Sequence, residues 1–206
     1  MKQKTLPTFE YEQKLWSAGI AHIAGVDEVG RGCFAGPVVA AAVVLPSDFN
    51  ATDKINDSKK LSAKVREALS DIIKQHALAY AISEVDVPTI NKIGIGKAAQ
   101  QAFYTAVMDL KITPEHILID AFPISMIAEE TQTPIIRGDA TSISIAAASI
   151  IAKVYRDKRM EELHKDFEAY DFVTNKGYGT KVHREAIAKF GLCDLHRTSF
   201  NLTKYT

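Results

Sequence analysis

Asp27 and Glu28 stand side by side at the end of an apolar run, and Gly30-Arg31-Gly32 follows at once. A carboxylate closing a buried strand is costly unless something offsets its charge. A hard divalent cation, bound through oxygen, is one such partner. The two glycines let backbone come close to a ligand, and the arginine between them suits phosphate. Metal, close backbone and phosphate together point to a phosphodiester substrate.

Two further acids follow apolar runs. Asp120 comes after Ile117-Leu118-Ile119, and Asp139 lies in the Arg137-Gly138-Asp139 turn just past Ile135-Ile136. Acids at the ends of neighbouring strands would converge on one edge of a sheet, where open α/β sheets place their sites. Four such carboxylates repel one another strongly. Divalent cations remove that repulsion. Two metals about 4 Å apart can activate a water on one side of a phosphate and stabilise the leaving oxygen on the other. Taken singly, Asp120 or Asp139 reads more readily as a turn or helix N-cap residue.

These acids need strands to carry them. His22 to Glu28 reads as a strand, and Pro37 to Leu45 as a second, almost wholly apolar and so covered on both faces. The short glycine-containing link between them predicts a hairpin. Ser62 is a suitable N-cap for a helix through about His76, with Val65, Leu69, Ile72 and Ile73 on one face. Ala77 to Val85, His116 to Asp120 and Pro134 to Arg137 read as further strands. Ile93 to Leu110 reads as one amphipathic helix despite Gly94 and Gly96. Thr141 to about Glu162 reads as a long helix whose alanine-rich first half should pack closely on the sheet. Strands first, then alternating helix and strand, predict an α/β fold with a mixed sheet. After Asp166 the pattern weakens to a loop and a short helix near His183 to Phe190. Adjacent strand residues point to opposite faces, so Asp27 and Glu28 share a site only if the strand ends or twists there.

The chain has 206 residues, 47% hydrophobic and 24% charged, which is ordinary for a globular protein with a sizeable core. Met1 to Thr8 is polar and lacks a signal-peptide core, and no apolar run reaches the length of a membrane span. A cytoplasmic protein away from membranes is expected. Cys33 and Cys193 make no zinc pattern and are expected as free thiols. The net charge is zero, yet Thr174 to Thr206 holds six Lys/Arg against two Asp/Glu. A basic C-terminal segment beside an acidic centre fits an enzyme that grips phosphates and cuts one.

The segment Ala24-Gly25-Val26-Asp27-Glu28-Val29-Gly30-Arg31-Gly32 resembles the signature of type 2 ribonuclease H, and closely that of bacterial ribonuclease HII. Asn56-Asp57-Ser58-Lys59-Lys60-Leu61-Ser62, Ile119-Asp120 and Gly138-Asp139 resemble the family in the same order. So do Ala146-Ala147-Ala148-Ser149-Ile150-Ile151-Ala152-Lys153-Val154, Lys176-Gly177-Tyr178-Gly179-Thr180 and His196-Arg197-Thr198-Ser199-Phe200. The resemblance implies a ribonuclease H-like mixed sheet flanked by helices, with a catalytic domain over 20–164 and a helical C-terminal extension over 165–206.

The resemblance also implies an endoribonuclease. It would hydrolyse RNA in RNA/DNA hybrids and nick at single ribonucleotides embedded in duplex DNA, leaving 5′-phosphate and 3′-hydroxyl ends. Asp27, Glu28, Asp120 and Asp139 fall where the family has its catalytic acids, with Asp27, Glu28 and Asp120 as metal ligands to Mn²⁺ or Mg²⁺. Asp27 is expected to bridge two cations and Glu28 to approach from the side. Gly30, Arg31, Gly32 and Tyr178 would recognise the 2′-hydroxyl at an RNA-to-DNA junction, which alone marks RNA against DNA at a given site. Tyr178 would sit on a mobile loop, and Lys59 would lie beside a phosphate. The family usually has lysine where this chain has Arg137, which keeps the charge. A monomer acting on RNA/DNA hybrids and ribonucleotide-containing duplexes is expected. The alternatives are another metal-dependent nuclease of the same fold, ribonuclease HIII or a junction resolvase, or a non-catalytic nucleic-acid-binding module.

Asp157 rivals Asp139 as the fourth acid. In a continuous helix the 18 residues between them would span about 27 Å, too far for one metal pair. Asp157 is therefore expected in a structural ion pair. His22, His76, His116 and His164 form no pattern and read as surface or capping residues. His183 and His196 lie in the basic segment, within reach of phosphate.

Overall fold

The computed structural model describes residues 6–50, 55, 58 and 61–205. Its elements, in chain order, are α1 (Glu10–Ser17), β1 (Ile23–Val29), β2 (Val38–Val44), α2 (Ala63–His76), β3 (Ala79–Val85), α3 (Val87–Ile93), α4 (Ile95–Met108), β4 (His116–Asp120), β5 (Gln132–Ile135), α5 (Ile143–His164), α6 (Phe172–Asn175) and α7 (Lys181–Phe190). The strands form one sheet in the order β3-β2-β1-β4-β5. β1 pairs antiparallel with β2, and β2 antiparallel with β3. β1 to β4 and β4 to β5 are parallel. The expected α/β mixed sheet, and the hairpin of its first two strands, are what the structure has.

β2 is buried at all seven positions because helices cover both faces of the sheet. Val38, Ala40, Ala42 and Val44 face Ala98, Ala102, Phe103 and Ala106 of α4. Val39, Ala41 and Val43 face Leu69 and Ile73 of α2 and the alanines of α5. Leu69 and Ile73 take the places expected of them, but Val65 is exposed. α5 lies almost on the backbone of β1: a Cβ on Gly25 would run into the Ser144 and Ile145 backbone. That close approach needs glycine on the strand and small residues, Ala146, Ala147 and Ala148, on the helix.

Two expectations need correction, and helices α1 and α3 are unexpected. The helix expected over Ile93 to Leu110 is α4, Ile95–Met108, and a separate helix, the unexpected α3, ends at Ile93. Gly94 has φ +81°, a left-handed conformation that ends α3, and α3 has its own start where the Asp86 side chain accepts from Thr89 N–H. The strand expected at Pro134 to Arg137 lies earlier, at Gln132–Ile135, because Arg137 turns the chain with φ +59° and leaves Ile136 exposed. α1 has no counterpart in the expected elements. Its Glu12 is fully buried and accepts from Ser142 Oγ at 2.7 Å and Ser144 N–H at 2.9 Å, at the start of α5.

After α5 the chain forms two short helices, α6 and α7. Phe172, Ala186 and Ile187 there share one apolar cluster with Ala35 and Met160. No helix among the described residues is long and apolar enough to cross a membrane.

Candidate active site

The parallel register of β1 and β4 sets Gly25 beside Leu118 and Val26 beside Ile119. One step further brings Asp27 level with Asp120. Strand parity then sends both side chains to the same face, the one covered by α5. Asp27 is 4% exposed. Burial pushes its carboxyl well above the ordinary carboxylate range, and the charges of Glu28 and Asp120 push it further. A hydrogen bond from Ser149 works against them, and the charge of Asp139 adds to the rise. All four acids named from the sequence therefore act on one point. Among the described residues they are not drawn together to the spacing of a filled metal site.

β1 does not end at Asp27. Pairing continues through Glu28 with Ala40 and Val29 with Val39, so ladder parity places Glu28 on the opposite face from Asp27. Its Oε1 lies 3.9 Å from Arg31 Nη1. The Glu28 N–H donates to Asp27 Oδ1 at 2.7 Å, which fixes the first acid against its own strand. Asp120 Oδ1 accepts the Gly138 N–H at 2.6 Å. Gly138 opens the short helical turn holding Asp139, which is 7% exposed. Arg137 enters that turn in the left-handed region and Ala121 leaves Asp120 there too, with φ +62°. Both ends of this loop pair are thus bent sharply to bring the two acids inward.

The Gly30-Arg31-Gly32 turn is held from beneath by two arginines that are fully buried. Arg197 donates to Arg31 O at 3.0 Å and to Gly36 O and Pro37 O. Arg156 donates to Pro37 O at 2.9 Å, Ala35 O at 3.1 Å and Lys176 O at 2.8 Å. Gly30, with φ +91°, lies so close to the Arg156 side chain that a Cβ would collide with it. A Cβ on Gly32 would meet nothing within 4 Å, so that face of the turn is open to a ligand. The Arg31 guanidinium stands 5.4 Å from the ring centre of exposed Phe122.

Tyr178 is brought to this turn. Phe34 N–H donates to Gly177 O at 2.8 Å, joining the tyrosine loop to the segment after Gly32. The Tyr178 ring lies 5.6 Å from Lys153 Nζ and 5.9 Å from the Arg156 guanidinium carbon. Burial, then the Cys33 thiol, pushes its hydroxyl up to about 12. Hydrogen bonds tie the loop at three points. Asn175 Oδ1 accepts from Gly177 N–H, Asn175 O accepts from Tyr178 N–H, and Asn175 Nδ2 donates to Tyr170 O.

Other expectations meet mixed outcomes. Lys59, with Asn56 and Asp57, lies outside the described residues. Next to it, Ser58 Oγ is 3.0 Å from Ser149 Oγ, which ties that loop to the serine facing Asp27. Asp157 sits in an ion pair, 2.7 Å from Lys153 Nζ and 3.5 Å from Arg66 Nη2. His183 and His196 do not reach toward phosphate; both are buried and face each other. His116 is buried too, 2.8 Å from Thr133 Oγ1. Part of the basic C-terminal charge is already committed, with Arg197 under the turn and Lys176 2.6 Å from Glu161. Ser149 and Arg197 lie in segments that carry the family resemblance but have no role assigned from the sequence, and Arg156 lies outside those segments. Serine in an alanine-rich run facing a buried acid was the one local signal.

A five-stranded mixed sheet, with helices on both faces and acids at the ends of adjacent central strands, is the architecture of ribonuclease H-like nucleases. Comparison with known proteins narrows the class. The family model for ribonuclease HII matches residues 24–203. A ribonuclease HII of Oceanobacillus iheyensis is 50% identical over 200 residues, covering 97% of this chain and 76% of the relative. The ribonuclease H2 structure from Pyrococcus horikoshii superposes with a TM-score of 0.72 at 24% identity, covering 89% of this chain and 95% of that one. The ribonuclease HII of Archaeoglobus fulgidus, solved in complex with PCNA, gives 0.71 at 27% identity, covering 87% and 96%. The chain belongs to the ribonuclease HII family. It is a ribonuclease H, a hydrolase that cuts RNA strands internally.

Proposed function

We propose that this enzyme hydrolyses the RNA strand of RNA/DNA hybrids and nicks duplex DNA at single embedded ribonucleotides, with 5′-phosphate and 3′-hydroxyl products. The observation that carries the reading is Asp27, whose carboxyl is raised by its burial first and then by the charges of Glu28, Asp120 and Asp139. Carboxylates so placed, with only oxygen to offer, fit hard divalent cations such as Mg²⁺ or Mn²⁺. When bound, two such cations supply an activated water and charge stabilisation of the leaving oxygen.

The residues of the chain do the rest. Asp27, held by Glu28 N–H and Ser149, would be the central ligand, with Asp120 beside it on the same face and Glu28, whose charge also reaches Asp27, approaching from the other side of the strand. Asp139, on the turn fixed by Asp120, completes the catalytic acids. Gly30, Arg31 and Gly32 present backbone and one guanidinium to the strand being cut. Tyr178, pinned across from them, lies against the sugar at the RNA-to-DNA junction, where the 2′-hydroxyl is the feature to read. Lys59 contributes to phosphate binding. A cleavage assay tests the proposal on three duplexes: a long hybrid, DNA with one ribonucleotide, and DNA alone. With Mn²⁺ or Mg²⁺ the first two should be cut and the third left whole; with a chelator none should be cut. Cutting of the all-DNA duplex, or full activity in chelator, would overturn it.

A further inference from the structure

His183, in the first turn of α7, and His196, in the C-terminal loop, are 0% and 1% exposed. Their Nε2 atoms are 3.1 Å apart. The proton on each ring follows from the neighbours. Cys193 N–H donates to His196 Nδ1 at 2.9 Å, with Cys193 O and Sγ farther from that nitrogen at 3.2 Å. A backbone N–H cannot accept, and the Tyr178 carbonyl facing His183 Nδ1 can only accept, so with both rings neutral His196 Nδ1 carries the lone pair. The His196 proton is then on Nε2 and points at His183 Nε2, which must accept it. The His183 proton is left on Nδ1, and it donates to Tyr178 O at 2.9 Å. All four ring nitrogens are satisfied by one directed chain of hydrogen bonds, with both rings neutral.

The rings packed on this pair are aromatic. Tyr170 meets His196 edge-on at 4.9 Å between centroids, and Phe172 stands at 90° to His183 at 5.4 Å. A second proton on His183 would set N–H against N–H across 3.1 Å, and one on His196 would set its Nδ1–H against the Cys193 N–H. Burial accordingly lowers both imidazoles, His196 to about 4. The neighbouring residue, Arg197, donates to Arg31 O, so one dipeptide is bonded to the Gly30-Arg31-Gly32 turn directly and to the tyrosine loop through His183.

We propose that His183 and His196 are positioning residues for Tyr178, their relay joining the Thr180 N–H, 2.8 Å away, in fixing the Tyr178 carbonyl and hence the ring against the Gly30-Arg31-Gly32 turn. The proposal rests on the reading of Tyr178 as the residue that meets the sugar. Positioning of this kind acts on turnover at a demanding substrate more than on binding, because a small misplacement is felt at the reacting geometry.

The test has two arms. In wild-type protein, ¹⁵N NMR should show two neutral imidazoles at pH 6 and a scalar coupling across His196 Nε2–H to His183 Nε2. Absence of the coupling, or rings titrating near 6.5, overturns the relay. The second arm compares His183→Asn, whose amide nitrogen replaces Nδ1 and keeps the donor to Tyr178 O, with His183→Gln, which loses it. His183→Gln should lower kcat at a single ribonucleotide about tenfold with KM little changed, while His183→Asn restores most of it. Equal losses in the two variants overturn positioning and leave packing alone. Tyr178→Ala is the control. Unchanged selectivity in that variant overturns the role given to Tyr178 and the functional part of the proposal with it, even where the NMR coupling is present.

Discussion

Asp120 Oδ1 accepts the Gly138 N–H at 2.6 Å, so the acid that ends β4 also fixes the turn that carries Asp139. One residue thus faces Asp27 and sets the position of the fourth acid. Space at 138 is tight: a Cβ there would lie 2.5 Å from Ile145 Cδ1, so that the isoleucine side chain must shift, and 3.4 Å from Asp120 Oδ1. Gly138→Ala should cost about 1–3 kcal/mol through this crowding. It should lower kcat more than tenfold, roughly, because Asp120 and Asp139 shift together. Melting and cleavage measured on one preparation check both. Wild-type turnover in this variant would show that the turn does not place a catalytic acid.

Asp157 offers the contrasting case. Its carboxylate is committed to Lys153 and Arg66, at 2.7 and 3.5 Å, and Arg66 in turn donates to Ser58 O and Leu61 O. Asp157→Asn should lose about 1 kcal/mol of stability from a part-buried ion pair. Most of the cleavage activity should remain. A variant as inactive as Asp27→Asn would move Asp157 into the catalytic set.

Much of this architecture could be read from residue patterns, for identifiable reasons. β1, β2 and β4 are short apolar runs, and each acid marks where burial ends. Ser62 caps α2 through Val65 N–H as its type demands. Two misplacements arose where tertiary bonds rescue unfavourable residues. Gln132 opens β5 because its side-chain amide is satisfied by Ile124 N–H, Ile124 O and Ile127 O, which no local pattern shows. Glu12 lets a polar helix dock because its carboxylate meets the start of α5. In the site, strand ends announced the acids, whereas Arg156 and Arg197 matter through carbonyls more than a hundred residues away in the chain. Such pairings exist only once the sheet has formed.

Glu12 gives a stability prediction. Its Oε1 accepts two hydrogen bonds at the α5 N-terminus, and the residue is fully buried. Glu12→Ala leaves Ser142 Oγ and Ser144 N–H without that acceptor, at a cost of about 2 kcal/mol. A lowered denaturant midpoint with little change in KM is expected. An unchanged midpoint would mean that α1 contributes nothing to holding α5.

The buried histidines predict an acid limb. His196 is held to about 4 by burial and by the charge of His183, and His183 is lowered as well. An unfolded histidine titrates near 6.5, so the unfolded chain binds more protons below that pH. Stability contributed by the pair is fully present above about 6.5 and is lost as pH falls toward 4, about 3 kcal/mol for His196 alone. The groups facing the pair are Tyr170, Cys193 and the Tyr178 carbonyl. Denaturant melts from pH 7 to 4 should show this slope, and His196→Gln should flatten it. An equal slope in both proteins would assign the acid sensitivity elsewhere.

Asp27 predicts opposite responses to charge removal and to metal. Without cations, its burial and the charges of Glu28, Asp120 and Asp139 all disfavour the ionised carboxyl. At pH 8, metal-free Asp27→Asn should therefore melt above the metal-free wild type, since a buried negative charge is gone while the side-chain volume stays. Adding Mn²⁺ should reverse the order. A cation that binds only the folded state stabilises it by about 2.7 kcal/mol at a hundredfold excess over Kd, and the variant lacks the central carboxylate needed to hold it. Thermal melts of both proteins in chelator and in Mn²⁺ give all four values without any substrate. Equal Mn²⁺ shifts in the two proteins would show that these acids do not form the cation site, and two-metal hydrolysis would lose its physical basis in this chain.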